Sequence, residues 1–208
     1  LSENNSPLVV AGCMPKTQAN EIKKLNPNAS MMGPDSIDKI ADIVDSALQG
    51  NTVIEVTSSN KPKILLPKVR INPVIDIVEI GTGCLSSCTF CQVKIAKGTL
   101  VSYPPDAIVE QITDSTNTSC NEIWLTSTDN GCYGMDMMMD LSDLLKMIVK
   151  IPNSFFIRVG MMNPMHTKNK FTKLFDAFAH DKIYKFLHIP VQSGNNRILK
   201  SMLRGHSI

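Results

Sequence analysis

No apolar run in the 208 residues approaches the roughly 20 needed to cross a bilayer, so no membrane contact is expected from this stretch. The opening LSENNSPLVV has no basic segment ahead of an apolar one, so no secretory signal peptide is expected in it. The net charge is only +2, too small by itself to argue for a nucleic-acid partner and no argument against one. Charged residues make up 19% and hydrophobic ones 43%, a mix that excludes a disordered chain and suffices for a sizeable core. There is no internal repeat, and no low-complexity stretch beyond Met137–Met139, which is read as packing or loop. Nothing marks an exported protein, so the six cysteines are not read as disulfides and the expected location is cytoplasmic. The chain also lacks an initiating methionine, and trimming at its start is expected.

What is present reads as two regions. Residues 1–50 alternate strand, helix, strand, helix: LVVAGCM at 8–14, a helix over 18–25 stopped by Asn26-Pro27-Asn28, a strand at 29–33, and a helix with Ile37, Ile40, Ala41, Val44, Ala47 and Leu48 on one face. This predicts a small parallel, flavodoxin-like α/β part. Residues 51–72 lose periodicity and read as a linker whose basic residues are either solvated or phosphate contacts. From 73 to 208 four βα units are expected. Their strands are 74–80, 122–128, 155–161 and 185–192; their helices lie near 106–115, 141–150 and 169–180, with a last one opening at Asn195. Four units without reversal predict a partial (β/α) barrel, and a closed one needs more strands, so trimming is expected at Ile208 as well.

Three cysteines crowd into GCLSSCTFC directly after the first barrel strand: Cys84, Cys88 and Cys91. Thiolates on one tight loop can each take a different iron of a cubane cluster and leave the fourth iron open. An open iron can chelate the amino and carboxylate groups of S-adenosylmethionine, and one electron then cleaves a carbon–sulfur bond to release a 5′-deoxyadenosyl radical. The bland alternative is structural zinc, which wants four ligands in paired knuckles and would need Cys120 or Cys132 as the fourth.

GCLSSCTFC resembles the signature of the radical S-adenosylmethionine superfamily, whose shared domain is a full or partial (β/α) barrel. EIWLTSTDNGCYGMD, FFIRVGMMNP and FLHIPVQSGNNRILKSMLR narrow the resemblance to the methylthiotransferases, and among these to the tRNA N6-threonylcarbamoyladenosine methylthiotransferases of archaea and eukaryotes. LVVAGCMPKTQANEI and NASMMGPDSIDKI are similar to the end of that family's N-terminal domain. The resemblance implies two [4Fe-4S] clusters in the full-length protein, S-adenosylmethionine as cofactor, tRNA as partner and an external electron donor. It places Cys84, Cys88 and Cys91 on the catalytic cluster and Cys13 on a second, sulfur-delivering one whose other two cysteines are absent here. The chain as it stands is therefore expected to bind one cluster at best and not to turn over. Alternatives remain open: action on isopentenyladenosine in tRNA, action on a ribosomal protein aspartate, or a non-catalytic zinc or iron–sulfur module. For location, the alternative is the endoplasmic reticulum membrane, through a C-terminal anchor not present here.

Other residues are candidates with a plainer reading beside each. Thr126, Ser127, Thr128 and Asp129 end the second barrel strand, where the superfamily contacts the cofactor's amino group; Asp129-Asn130-Gly131 also supplies turn chemistry. Arg158, on one strand face with Phe156 and Gly160, is expected inside the barrel, where it needs an anionic partner: cofactor, substrate or a structural carboxylate. Gln192 is a candidate cofactor contact, while His188 on the same face is read as a core histidine without a role. Cys120 is read as a buried structural cysteine, and Cys132 as lying on the cofactor side. Lys168, Lys170 and Lys173 are either RNA contacts or a solvated face.

Overall fold

The computed structural model describes residues 6–59, 61–168 and 170–208. Leu1 and residues 2–5, Asn60 of the expected linker and Asn169 of the expected third barrel helix lie outside the described residues. The chain divides into two units: the residues up to Lys63 together with Cys91–Gly98, and Ile64–Phe90 together with Thr99–Ile208.

The first unit holds β1 (Val9–Ala11), α1 (Cys13–Thr17), α2 (Ala19–Leu25), β2 (Ser30–Met32), α3 (Ile40–Leu48) and β3 (Ile54–Glu55). Its three strands pair in parallel in the order β1-β2-β3. Ile22, Ala29 and Met31 form a small core with Leu8, Val10, Ala19 and Val56 packed around it. The third strand falls inside the expected linker, so the sheet continues past residue 50. Two residues are too short to show a period; the pairings of Met31 with Ile54 and Met32 with Glu55, flanked by amide bonds from Met31 to the Val53 carbonyl and from Gly33 to the Glu55 carbonyl, reveal them. The excursion α4 (Gln92–Lys97) packs on α1 within this unit.

The second unit carries β4 (Ile75–Glu79), β5 (Gly81–Thr82), β6 (Val101–Ser102), α5 (Pro105–Asn117), β7 (Glu122–Thr126), α6 (Leu141–Ile148), β8 (Phe156–Val159), α7 (Pro164–Thr167), α8 (Phe171–Phe178) and α9 (Asn196–Ser201). β4, β7 and β8 form a parallel sheet in that order, and β5 pairs antiparallel with β6. Alternation decides which sheet face is covered. Val78, Ile123, Leu125, Ile157 and Val159 point to the helices and pack on Ile108 and Ile112 of α5, Leu144, Leu145 and Ile148 of α6, and Leu174 and Phe178 of α8. Ile77 and Phe156 point the other way and are 58% and 49% exposed. The sheet is thus an open arc rather than a closed barrel.

The fourth expected strand, over 185–192, does not form. Ile157 bonds to the Lys182 carbonyl and accepts from the Tyr184 amide, and Met162 bonds to the His188 carbonyl. These contacts follow β8 without completing a ladder. Pro190 has no amide hydrogen to give, and Gln192 takes a φ of +72°, outside strand geometry. His188, expected in the core, is exposed.

Gly160 follows β8 because nothing larger fits. A Cβ there would stand 2.8 Å from the Leu125 carbonyl oxygen and 2.7 Å from Asn130 Nδ2. Two of the linker's basic residues have partners within the chain. Lys68 pairs with buried Asp76, which also accepts from Ser115 Oγ, and Arg70 donates to the Ser115 and Thr118 carbonyls. Among the described residues no helix is long and apolar enough to cross a membrane.

Candidate active site at the carboxyl edge of the sheet

In parallel α/β sheets ligand sites form beyond the carboxyl ends of the strands. Here the Ile80 amide bonds to the Thr126 carbonyl at the end of the β4–β7 pairing, and the chain beyond each strand delivers a polar cluster. Cys84 is buried, its Sγ accepting from the Ser86 amide at 3.2 Å. Asp129, 2% exposed, lies at the centre. Its Oδ1 accepts from the amides of Gly131 and Asn163 at 2.9 and 3.0 Å, and its Oδ2 faces His166 Nδ1 at 2.7 Å and Cys84 Sγ at 4.0 Å. A carboxylate opposite Nδ1 places the imidazole proton there. The Asn163 side chain donates to Ser86 Oγ at 3.1 Å, tying the cysteine loop to the start of α7. Cys132 donates to the Asp129 carbonyl at 3.1 Å, and Cys84 Sγ, Asp129 and Cys132 Sγ lie within 4.8 Å of one another. The neighbouring Cys132 thiol holds the Cys84 thiol below its ordinary range, and Cys84 together with burial pushes Cys132 upward.

Cys88 and Cys91 are half-buried. The Cys88 stretch is held by residues from the end of the chain: the Thr89 amide bonds to the Met202 carbonyl, Thr89 Oγ1 to the Ser201 carbonyl, and Arg204 Nη1 donates to Cys88 Sγ at 3.3 Å. Cys91 groups with the first unit and precedes α4. Cys13 is exposed at the start of α1.

The remaining expectations separate. Thr126 closes β7, and Asp129 makes the turn through Gly131 while also organising the cluster. Ser127 Oγ and Thr128 Oγ1, with Thr82 Oγ1 across the same edge, are buried without a hydrogen-bond partner among the described residues. Arg158 is not buried with an anion: it is half-buried, its guanidinium lying 4.7 Å above the Trp124 ring and 5.1 Å from that of Phe186. Gln192 is exposed, outside the cluster around Asp129. Cys120 is buried and donates to the Val74 and Glu122 carbonyls, as a structural cysteine should. Lys173 is paired with Asp140 and Asp143 at 2.9 and 2.8 Å with its side chain still partly exposed, Lys170 is half-buried and Lys168 is exposed.

Sequence reasoning missed His166, Asn163, Ser86 and Arg204. Asn163-Pro164 was readable as a helix start, since Asn163 Oδ1 accepts from the Met165 amide. That start places His166 on the first turn, but only the fold brings it to Asp129.

The residues fit the group that the cysteine spacing implies. Three buried hydroxyls without partners suit a polar cofactor at this edge, and a buried guanidinium on Cys88 suits an anionic cluster.

Residues 78–208 match the model of the radical SAM superfamily. Over 201 residues the chain is 38% identical to a probable threonylcarbamoyladenosine tRNA methylthiotransferase of Methanothermobacter thermautotrophicus, covering 97% of this chain and 47% of that protein. It is 40% identical over 210 residues to the threonylcarbamoyladenosine tRNA methylthiotransferase of Drosophila melanogaster, covering 97% of this chain and 38% of that protein. The chain thus spans less than half the length of these relatives. Among solved structures, the radical S-adenosylmethionine methyltransferase TsrM of Kitasatospora setae shares the fold, with a TM-score of 0.67 at 11% identity over 97% of this chain and 45% of that one. With a family match covering more than half of its residues, the chain belongs to the radical SAM superfamily.

Proposed function

We propose that this chain is the core of a radical S-adenosylmethionine methylthiotransferase that acts on tRNA, replacing the C2 hydrogen of threonylcarbamoyladenosine next to the anticodon with a methylthio group. The observation that carries the reading is the Cys84-x3-Cys88-x2-Cys91 spacing, with buried Cys84 at the carboxyl edge of a parallel sheet beside hydroxyls that lack partners among the described residues. When bound on these cysteines, a [4Fe-4S] cluster supplies the electron that opens S-adenosylmethionine, itself reduced by an external donor.

The chain's own residues do the rest. Thr126, Ser127 and Thr128 offer carbonyl and hydroxyl acceptors to the cofactor's ammonium group. Asp129, fixed by two amides and His166, holds the turn that presents them. Its buried surroundings keep water from a reactive radical. Cys13, exposed at the start of α1, is proposed as one ligand of a second cluster that presents sulfur. Half-buried Arg158 and exposed Gln192 are proposed as cofactor or substrate contacts. Lys168 and Lys200 line an open depression of the second unit suited to RNA phosphate.

Incubation of the reconstituted intact protein with tRNAs carrying threonylcarbamoyladenosine or isopentenyladenosine, followed by nucleoside mass spectrometry, tests the substrate. A methylthio product on the first tRNA alone is expected. Equal product on both overturns the substrate assignment.

A further inference from the structure

Arg204 is 8% exposed, yet no carboxylate reaches it among the described residues. Its Nη2 donates to the Pro190 carbonyl at 3.0 Å, its Nη1 donates to Cys88 Sγ at 3.3 Å, and its Nε is buried without a partner. Arginine stays charged at any ordinary pH. A guanidinium withdrawn from water costs several kcal/mol unless an anion compensates it, and a backbone carbonyl is only a partial answer. The one group in contact that can carry full negative charge is the Cys88 sulfur. This contact also joins residues 116 apart in sequence. It is reinforced by the two bonds from Thr89 to the Ser201 and Met202 carbonyls and by the Arg204 amide's bond to the Leu199 carbonyl. Asn195, whose side chain accepts from the Arg197 and Ile198 amides, starts the helix that brings Arg204 to this place.

We propose that Arg204 is a positioning residue of the iron–sulfur site. It supplies the buried counter-charge to the cluster thiolate at Cys88 and fastens the cluster loop to the end of α9. The inference rests on the functional reading above and adds to it a residue outside the cysteine motif. Hydrogen bonds to cluster sulfurs and local charge are among the factors that set reduction potential. A positive donor on Cys88 stabilises the more negative, reduced cluster, so Arg204 raises the potential.

The test is EPR-monitored redox titration of the anaerobically reconstituted intact chain beside Arg204→Gln and Arg204→Lys. At the poise that half-reduces the parent, Arg204→Gln is expected to show a reduced-to-oxidised ratio lower by about tenfold, or ~59 mV for one electron. Arg204→Lys keeps the charge, loses the fork, and should shift less in the same direction. Full iron loading with unchanged potentials in both variants overturns the inference and leaves the functional reading intact. If the variants fail to load iron, the parent chain decides. With 15N-arginine, electron–nuclear double resonance of the reduced cluster should find a coupled nitrogen and an exchangeable proton, and their absence overturns the proposal. A parent chain that takes up no iron overturns the functional reading and the role of Arg204 with it.

Discussion

Cys13 and Cys84 both lie beyond the carboxyl end of a parallel strand, β1 and β4, and their surroundings are opposite. Cys13 follows a three-residue strand over a core of three buried residues and is exposed. Cys84 comes after the five-residue β4, whose sheet three helices cover, and the short antiparallel β5, and it sits against Asp129, Cys132 and Ser86. A deep apolar frame is what makes the difference. It can hold buried polar groups in one geometry because the surrounding packing offsets their desolvation, whereas a thin frame leaves a thiol to solvent. In this chain one cysteine is held in a preorganised polar cluster and the other is an exposed thiol.

The largest expected effect lies at the centre of the preorganised edge. Asp129→Ala leaves the Gly131 and Asn163 amides and His166 unsatisfied in a dry site, at a cost of about 3–5 kcal/mol in chemical denaturation. A loss below about 1 kcal/mol would show that the cluster is not held by this carboxylate.

Next comes the backbone beneath it. Gly160→Ala drives a Cβ into the Leu125 carbonyl and the Asn130 amide, and about 1–3 kcal/mol is expected. The same denaturation measurement reads it.

Smaller still is Asp140, which caps α6 by accepting from the Asp143 amide while Asp143 bonds back to the Asp140 amide. Asp140→Ala should cost about 1 kcal/mol, with little added by Lys173, whose side chain is 41% exposed. Burial pushes the Asp140 carboxyl up, and the bonds from Lys173 and the Asp143 amide outweigh it, so it sits below its usual range. A depressed carboxyl stabilises the fold above its unfolded value of about 3.9 and loses that contribution as pH falls through the folded value. Stability of Asp140→Asn should therefore vary less with pH below about 4 than that of the parent.

The smallest effect is at the bare site. Cys13→Ser should change stability by no more than about 0.5 kcal/mol. A larger loss would mean that Cys13 is packed after all, and the contrast would fail.

The parallel sheet and its helices were legible because hydrophobic alternation and helical period persist over five or more residues in β4, β7, α5 and α6. The cysteine loop stood out because three cysteines lie within eight residues. What escaped depends on contacts between distant residues. Alternation placed Arg158 in an enclosed interior, but its sheet face is open and it is half-buried, whereas Arg204 is buried where the chain after α9 meets the Cys88 loop. β3 is too short to carry a pattern, and the expected fourth strand had the right hydrophobic character but met Pro190. His166 had no signal of its own until the fold set it 2.7 Å from Asp129.

The account stands most directly on Cys84, Cys88 and Cys91 holding a cluster that opens S-adenosylmethionine. Anaerobic reconstitution with iron and sulfide, then reduction with dithionite in the presence of S-adenosylmethionine, tests it. Cubane-type iron and sulfide loading on this loop with release of 5′-deoxyadenosine, both lost in Cys88→Ala, is the predicted result. Zinc in place of iron, or a cluster unaffected by Cys88→Ala, would contradict it.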